Sequence, residues 1–445
     1  MATAAELPGQ HRDVGVVVTG AEADLAGRAA AADLVAHHGS DSDSVDRPQV
    51  VDDPFGHLLP GPALAVILVG DVADDELSFA VKFEVVEGIH IYRHSLPVEA
   101  EGAVGYALEY SAALFWEFVL AWKVLFKRGF DVIHACNPPD LIFLVGGFFK
   151  IFLGKKFLFD HHDINPELFE AKFGKQGRFH KLLTWLERLT FRTADVSIAT
   201  NETFKDIAVK RGGMDVDRVY IVRSVPDLTR FKRVAPDADL KNGRKFLAGY
   251  VGIMGAQDGV DLLVEAMDVL VNKQGRRDVQ CAIVGSGTEL ASLQRMTHER
   301  GLDDYVTFTG FLSGEPLLKA FSTFDIGVIP DPKNTYNDKI SMNKVFEYMS
   351  LGIPFVSFDL IEGRKASGDA ALYATDNDPV QLAAHMAKLF DDADLAGALG
   401  EEGRSRAHVL LKWENERTRL LAAYERALQS PARSGRRASA QPASG

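Results

Sequence analysis

The sequence predicts an α/β protein of two doubly wound domains in series, on three observations. Short apolar runs alternate with helical segments from Asp131 to beyond Pro379, the pattern of parallel strands joined by crossover helices. The chain has 445 residues, 47% hydrophobic and 25% charged, a globular composition spread over more length than one core holds. A stretch with Pro226 and the polar run Asp237 to Arg244 interrupts the alternation near its middle and marks a linker.

In the first half, Asp131-Val-Ile-His-Ala-Cys136 reads as a strand, Asp140 to Leu153 as a buried helix and Lys156-Phe-Leu-Phe-Asp160 as a second strand, together one βαβ unit. A helix follows around Leu182, Leu183, Trp185, Leu186 and Leu189, then the strand Val196 to Thr200, which ends at Asn201 and Glu202, and the run Tyr220 to Pro226. The second half predicts strands at Phe246 to Gly252, Val279 to Gly285, Tyr305 to Gly310, Asp325 to Pro330 and Ile353 to Phe358. Helices are expected to begin near Gly259, Thr288, Pro316, Ser341 and Pro379, with Ser341 as an N-cap. A final amphipathic helix after Trp413 carries Leu420, Leu421 and Tyr424 on one side. The expected divisions are a leader over 1–80, domains over 81–235 and 236–410, the helix over 411–429, and a disordered Ser, Ala, Arg and Pro tail over 430–445.

Residues 1 to 81 contain no Lys, Asn, Tyr, Trp or Cys, and only Ala63 to Val69 reads as a strand there. That bias fits either a disordered extension or a segment translated from an unintended start.

Charge and cysteine usage exclude several classes. Lys plus Arg number 49 against 62 Asp plus Glu, a net charge of -13, so nucleic acid is not an expected partner. Cys136 and Cys281 lie in different halves without C-x-x-C spacing and read as inert thiols in a reducing compartment. The N-terminus lacks a basic stretch followed by an apolar run. Leu141 to Phe159 is broken by Lys150, Lys155, Lys156 and by Gly146 and Gly147, so it is no spanning helix. A cytoplasmic location is expected, possible contact with the inner face of the membrane included.

Ligands of open α/β sheets collect at the carboxyl ends of the strands. The loop Gly252-Ile-Met-Gly255-Ala-Gln-Asp-Gly259 and the turn Gly285-Ser-Gly-Thr288 lie there; each reads either as a phosphate contact or as a tight connection. The most informative stretch is Pro330 to Pro354, a polar loop, a helix, a Gly-x-Pro break and a strand. Its Lys344 and Glu347 lie three apart on one helix face. They either address a phosphate and a ribose together or form a surface ion pair.

Val345-Phe-Glu-Tyr-Met-Ser-Leu-Gly-Ile-Pro354 resembles the signature helix of glycosyltransferase family four, a retaining GT-B family. Similar motifs stand in the family's order at Tyr250-Val-Gly, Ile283-Val-Gly-Ser-Gly-Thr-Glu-Leu, Val306-Thr-Phe-Thr-Gly and Phe324-Asp-Ile-Gly-Val-Ile-Pro. Phe159-Asp-His-His-Asp-Ile-Asn-Pro and Asn201-Glu-Thr extend the likeness to the first half, over roughly Val81 to Leu428. The resemblance implies two Rossmann-like domains facing each other across a cleft. It also implies transfer of a sugar, with retention and without a metal, from a UDP- or GDP-sugar to a carbohydrate or lipid-linked acceptor in cell-surface or extracellular polysaccharide synthesis. No cofactor is implied. By the same resemblance Glu347 holds the nucleotide ribose, His162 faces the donor from the first domain, and Gly252, Gly255, Gly285 and Phe311 border the nucleotide.

Three departures from the family pattern stand out. The glutamate that usually lies eight positions before Glu347 is Lys339, and the basic pair expected after the first strand of the second domain is replaced by Ile253, Met254 and Asp258. A leaving diphosphate needs positive charge, which assigns that task to Lys339 or Lys344, with Arg364. The opening strand and glycine loop usual for the first domain are not evident in residues 1 to 81. Asp237-Ala-Asp239 and Asp392-Ala-Asp394 read as solvated turns, so no metal is expected.

The segment Trp116 to Lys127, with Lys150, Lys155, Lys156, Lys172 and Lys175, joins aromatic and basic residues. It reads as a face resting on an anionic membrane or as core helices with a basic rim. Two alternatives to transfer remain, a sugar-nucleotide epimerase on the same fold and a non-catalytic sugar-nucleotide-binding protein. Neither glycine loop has the full G-x-G-x-x-G spacing of a dinucleotide dehydrogenase.

Overall fold

The computed structural model describes residues 16–19, 64–69, 83–86, 89–94, 102–174, 176–228 and 230–430. The predicted tail beyond Ser430, and most of the predicted leader, lie outside these residues.

Eight strands form the first sheet: β1 (Val16–Thr19), β2 (Leu64–Val69), β3 (Phe83–Val86), β4 (Ile89–His94), β5 (Val132–Cys136), β6 (Lys156–His161), β7 (Val196–Ala199) and β8 (Val219–Ile221). Their order is β3-β4-β2-β1-β5-β6-β7-β8, and every pairing except β3 with β4 is parallel. The residues read as a leader therefore contribute two strands, and β1 occupies a central place between β2 and β5. The sequence hid β1 because Val-Val-Val-Thr is a four-residue run between Gly15 and Gly20, too short to show a period of its own.

The second sheet is wholly parallel, with β9 (Phe246–Val251), β10 (Val279–Val284), β11 (Val306–Gly310), β12 (Ile326–Ile329), β13 (Phe355–Phe358) and β14 (Ala371–Ala374) in the order β11-β10-β9-β12-β13-β14. All six residues of β10 are buried, as expected where helices cover both faces of a parallel sheet. One core packs Leu263, Val264, Met267, Leu382 and Met386 against one face, and a second packs Phe321, Phe324, Tyr348 and Met349 against the other. Predicted and observed strands agree within a residue or two, while β14 and the helix Ile361–Ser367 were not foreseen.

Chain direction reverses beside β9, which has β10 on one side and β12 on the other. The same reversal occurs in the first sheet beside β1, between β2 and β5. At such a switch point the loops leaving adjacent strands part in opposite directions and open a crevice at the carboxyl ends. Each domain thus presents one crevice.

Two features tie the domains together. The loop after β12 reaches the first domain, where Tyr336 and Ile340 pack against its core. The helix Trp413–Gln429 returns to the first sheet, where Leu420, Ala423, Tyr424 and Ala427 pack on Val132, Leu158, Val196 and Ile198. The spacing i, i+3, i+4, i+7 makes that stripe; Leu421, expected on the same side, is half-buried.

Candidate active site

Three loops at the carboxyl ends of β9, β10 and β12 build the wall of the second domain. Gly285 has φ +135°, and a Cβ there would lie 1.9 Å from the carbonyl oxygen of Gly252. Gly259, at φ +65°, would bring a Cβ to 2.2 Å from the carbonyl oxygen of Pro330. Glycine is required at both places because backbone meets backbone. Beside these close approaches opens a cavity of about 230 Å³ lined by Gly252, Asp258, Asp331, Asn343, Lys344 and Glu347, among others.

The helix Asn343–Leu351 points its N-terminus into this cavity. Its N-cap is Met342, with no side-chain hydrogen bond, so the first amides of the helix and its dipole face the cavity uncapped. The expected cap, Ser341, instead accepts a hydrogen bond from Asn201 Nδ2 at 3.0 Å; contact between the domains has taken the hydroxyl from the helix.

Lys344 Nζ donates to both carboxylate oxygens of buried Asp331, at 2.8 and 3.0 Å, and lies 4.7 Å from the centre of the Tyr250 ring. Burial opposes its charge, but Asp331 and Asp258 hold its pKa above the ordinary lysine value. Burial pushes Asp258 up to about 6, with Lys344 opposing and Asp331 adding to the shift. Asp258 Oδ2 accepts from the Gly255 amide at 2.8 Å, which turns that glycine's N–H onto the loop itself. Burial likewise pushes Glu347 up to about 7, against Lys344. Among the described residues Glu347 has no hydrogen-bond partner, so both lone-pair-bearing oxygens are available. Three carboxyl groups thus share one lysine, and an uncapped helix end adds the remaining positive potential.

The facing wall belongs to the first domain and is built on β5 and β6. Asn137, just after β5, accepts from the backbone amides of His162 at 3.0 Å and Asp163 at 3.3 Å, and donates to the Asp163 carbonyl at 2.6 Å. These bonds set the turn that carries His162 off the sheet, with its Nε2 3.0 Å from Asp160 Oδ2.

Polar contacts join the two walls. Tyr336 donates to Asp163 Oδ1 at 3.1 Å, and Asn201 Nδ2 donates to the Lys339 carbonyl at 2.8 Å. Lys339 Nζ lies 2.7 Å from Glu167 Oε1, a buried carboxylate that Arg211 also grips at 2.6 and 3.1 Å. Burial would raise the Glu167 pKa, but Arg211 and Lys339 hold it below the usual value.

The residues singled out from the sequence therefore separate. Gly252, Lys344 and Glu347 line one cavity, with Gly285 behind it, and His162 stands on the facing domain. Lys339 sits at the domain junction as an ion-pair partner. Arg364 lies on Asp359 at 2.6 Å and stacks on Tyr373 at 3.8 Å, and Phe311 is exposed; neither lines the cavity. Sequence reasoning missed Asn137, Asp163, Asp331 and Tyr336. A signal existed for two of them, since Asn137-Pro-Pro and Pro-Asp331-Pro put a polar residue beside proline directly after a strand.

Comparison with known proteins agrees with this architecture. Residues 88–230 match the family model described as Glycosyltransferase Family 4, and residues 245–392 match Glycosyl transferases group 1. The chain belongs to the GT-B glycosyltransferases of the family four type. This glycosyltransferase is 26% identical over 329 residues to mannosylfructose-phosphate synthase of Agrobacterium fabrum, covering 70% of the chain and 67% of that protein. It is 26% identical over 230 residues to alpha-D-kanosaminyltransferase of Streptomyces kanamyceticus, covering 49% of the chain but only 56% of that relative. Among solved structures, Anabaena HepE in complex with UDP superposes with a TM-score of 0.64 at 14% identity, over 93% of the chain and all of that protein. At that identity the likeness bears on the fold of the glycosyltransferase alone. Among its described residues no helix is long and apolar enough to cross a membrane.

Proposed function

We propose that the protein transfers a sugar, with retention and without a metal, from a nucleoside diphosphate sugar to a hydroxyl of a glycan or lipid-linked acceptor, as a step in building a cell-surface or extracellular polysaccharide. The observation that carries this reading is the unpartnered Glu347 carboxylate beside Lys344, at an uncapped helix N-terminus in a switch-point crevice of the second domain. Ionised Glu347 accepts the two ribose hydroxyls. Lys344 and the amides at Asn343 receive the diphosphate, and they stabilise the charge that grows on it as the glycosidic bond breaks. His162 meets the sugar end from the other domain. Catalysis then rests on alignment and charge stabilisation rather than on an enzymatic nucleophile.

The donor is identified by a thermal-shift screen against UDP-, GDP- and ADP-sugars. The UDP bound by HepE makes a uridine nucleotide the first choice. One donor class should raise the melting temperature by several degrees at a hundred times its Kd, and nucleotide release should require an added acceptor. Isomerised sugar from donor alone would indicate an epimerase, and binding without transfer would indicate a binding protein.

A membrane-side acceptor is supported by one surface of the first domain. Phe115, Phe126, Ile151 and Phe152 are exposed, and Lys123 and Lys127 are exposed beside them on the helix Gly102–Lys127. Apolar side chains flanked by lysine suit the interface of an anionic bilayer. Flotation with vesicles containing phosphatidylglycerol should carry the protein upward, less so at high salt; no flotation would remove the membrane from the proposal.

A further inference from the structure

Behind His162 stand three buried groups that the proposed transfer does not use. Cys136 and Asp160 are register partners on β5 and β6, so His134, Cys136 and Asp160 share a sheet face, with His162 just past the end of β6. Asp160 Oδ2 lies 3.0 Å from His162 Nε2 and 3.0 Å from His134 Nε2. His134 Nδ1 in turn lies 2.7 Å from the hydroxyl of Tyr424. Tyr424 belongs to the helix Trp413–Gln429, which returns from the second domain, and Asp160, His134 and Tyr424 are all at most 7% exposed. A carboxylate accepts only, so His134 turns its Nε2 hydrogen toward Asp160, while His162 Nε2 meets the same oxygen as an ion pair outside hydrogen-bond geometry.

We propose that Tyr424, His134 and Asp160 form a positioning chain that holds the His162 ring through its ion pair with Asp160 and leaves Nδ1 to meet the substrate, which makes the returning helix a part of the active site. Charge acts in the same sense. Burial opposes a second proton on His162, but Asp160 holds its pKa well above the ordinary histidine value. The Nδ1 hydrogen then remains a donor for an oxygen that gains charge as the nucleotide departs. The other titratable groups around this ring are Cys136 on β5, which also meets it, and Asp163 beside it in sequence, to which Tyr336 reaches from the second domain; His161 points into the core against Phe191 and Phe204.

The inference rests on the transferase reading for its purpose but not for its test. The imidazole C–H resonance of His162, assigned by loss in His162→Gln, is titrated by NMR in the full chain and in Asp160→Asn and Tyr424→Phe, and kcat is followed against pH in parallel. Asp160→Asn should lower the His162 midpoint by about one pH unit or more and kcat by roughly a hundredfold, with the donor KM nearly unchanged. Tyr424→Phe removes one hydroxyl and should move both quantities in the same direction by less, about threefold in kcat. An unmoved His162 midpoint in both variants, with only a lower melting temperature, would overturn the chain. So would stoichiometric zinc in the purified protein, because His134, Cys136 and Asp160 bring ligand atoms within 4.8 Å of one another and a metal would take the same lone pairs. The NMR midpoint needs no turnover, so it decides this point even if the protein transfers no sugar.

Discussion

Replacing Glu347 with Gln should weaken binding of the cognate nucleoside diphosphate about a hundredfold, because two hydrogen bonds to a charged acceptor are exchanged for weaker ones. Titration calorimetry at pH 8 measures the loss, and unchanged affinity would take this side chain out of the nucleotide site. The substitution has a second consequence. Burial pushes Glu347 up to about 7, so the folded protein prefers the protonated acid. The stability this group contributes is full below its ordinary range near 4.5 and is lost as pH rises through 7. A ribose donating to the ionised form binds with the opposite preference. Affinity in the parent protein should therefore fall as pH drops below 7, by up to about tenfold per unit, and Glu347→Gln should flatten that dependence. Its free form should melt no lower than the parent at pH 8.

Replacing Lys344 with Ala should lower kcat by about two to three orders of magnitude, the usual cost of removing one group that stabilises developing oxyanion charge. Among the cavity-lining side chains Lys344, paired with Asp331, is the single cation, while Lys339 and Arg364 lie outside the cavity on Glu167 and Asp359. The substitution also strands buried Asp331, and breaking a buried pair in this way costs about 3–5 kcal/mol. The double variant Lys344→Ala with Asp331→Asn separates the two effects. It should recover much of the lost stability, read by chemical denaturation, and none of the lost turnover. Parental turnover in either variant would remove Lys344 from catalysis.

The second domain was legible because a parallel sheet covered on both faces writes itself as apolar runs. Phe246–Val251 and Val279–Val284 are such runs, with glycine at the turn that follows each. The opening of the first domain was not legible, because β1 is four residues long and its pairing with β2 and β5 spans distances that no local window contains. The lining of the candidate cavity was legible where one helix carries it. Lys344 and Glu347 share a face by spacing alone, and both line the cavity.

Local pattern by itself determined the fold class, the strands from Val132 to Phe358 and the helix that brings Lys344 and Glu347 together, since each of these depends on residues a few positions apart. Only the tertiary structure decided which lysine lines the cavity and which partner each charge takes. Lys339 is equivalent to Lys344 as a sequence symbol, yet it is drawn to Glu167, 172 positions away. His162 acquires its setting from Tyr424 through His134 and Asp160, across a sheet and a returning helix. Hydrogen bonds and ion pairs form between groups that folding makes adjacent, and a buried polar group takes the partner that burial leaves it.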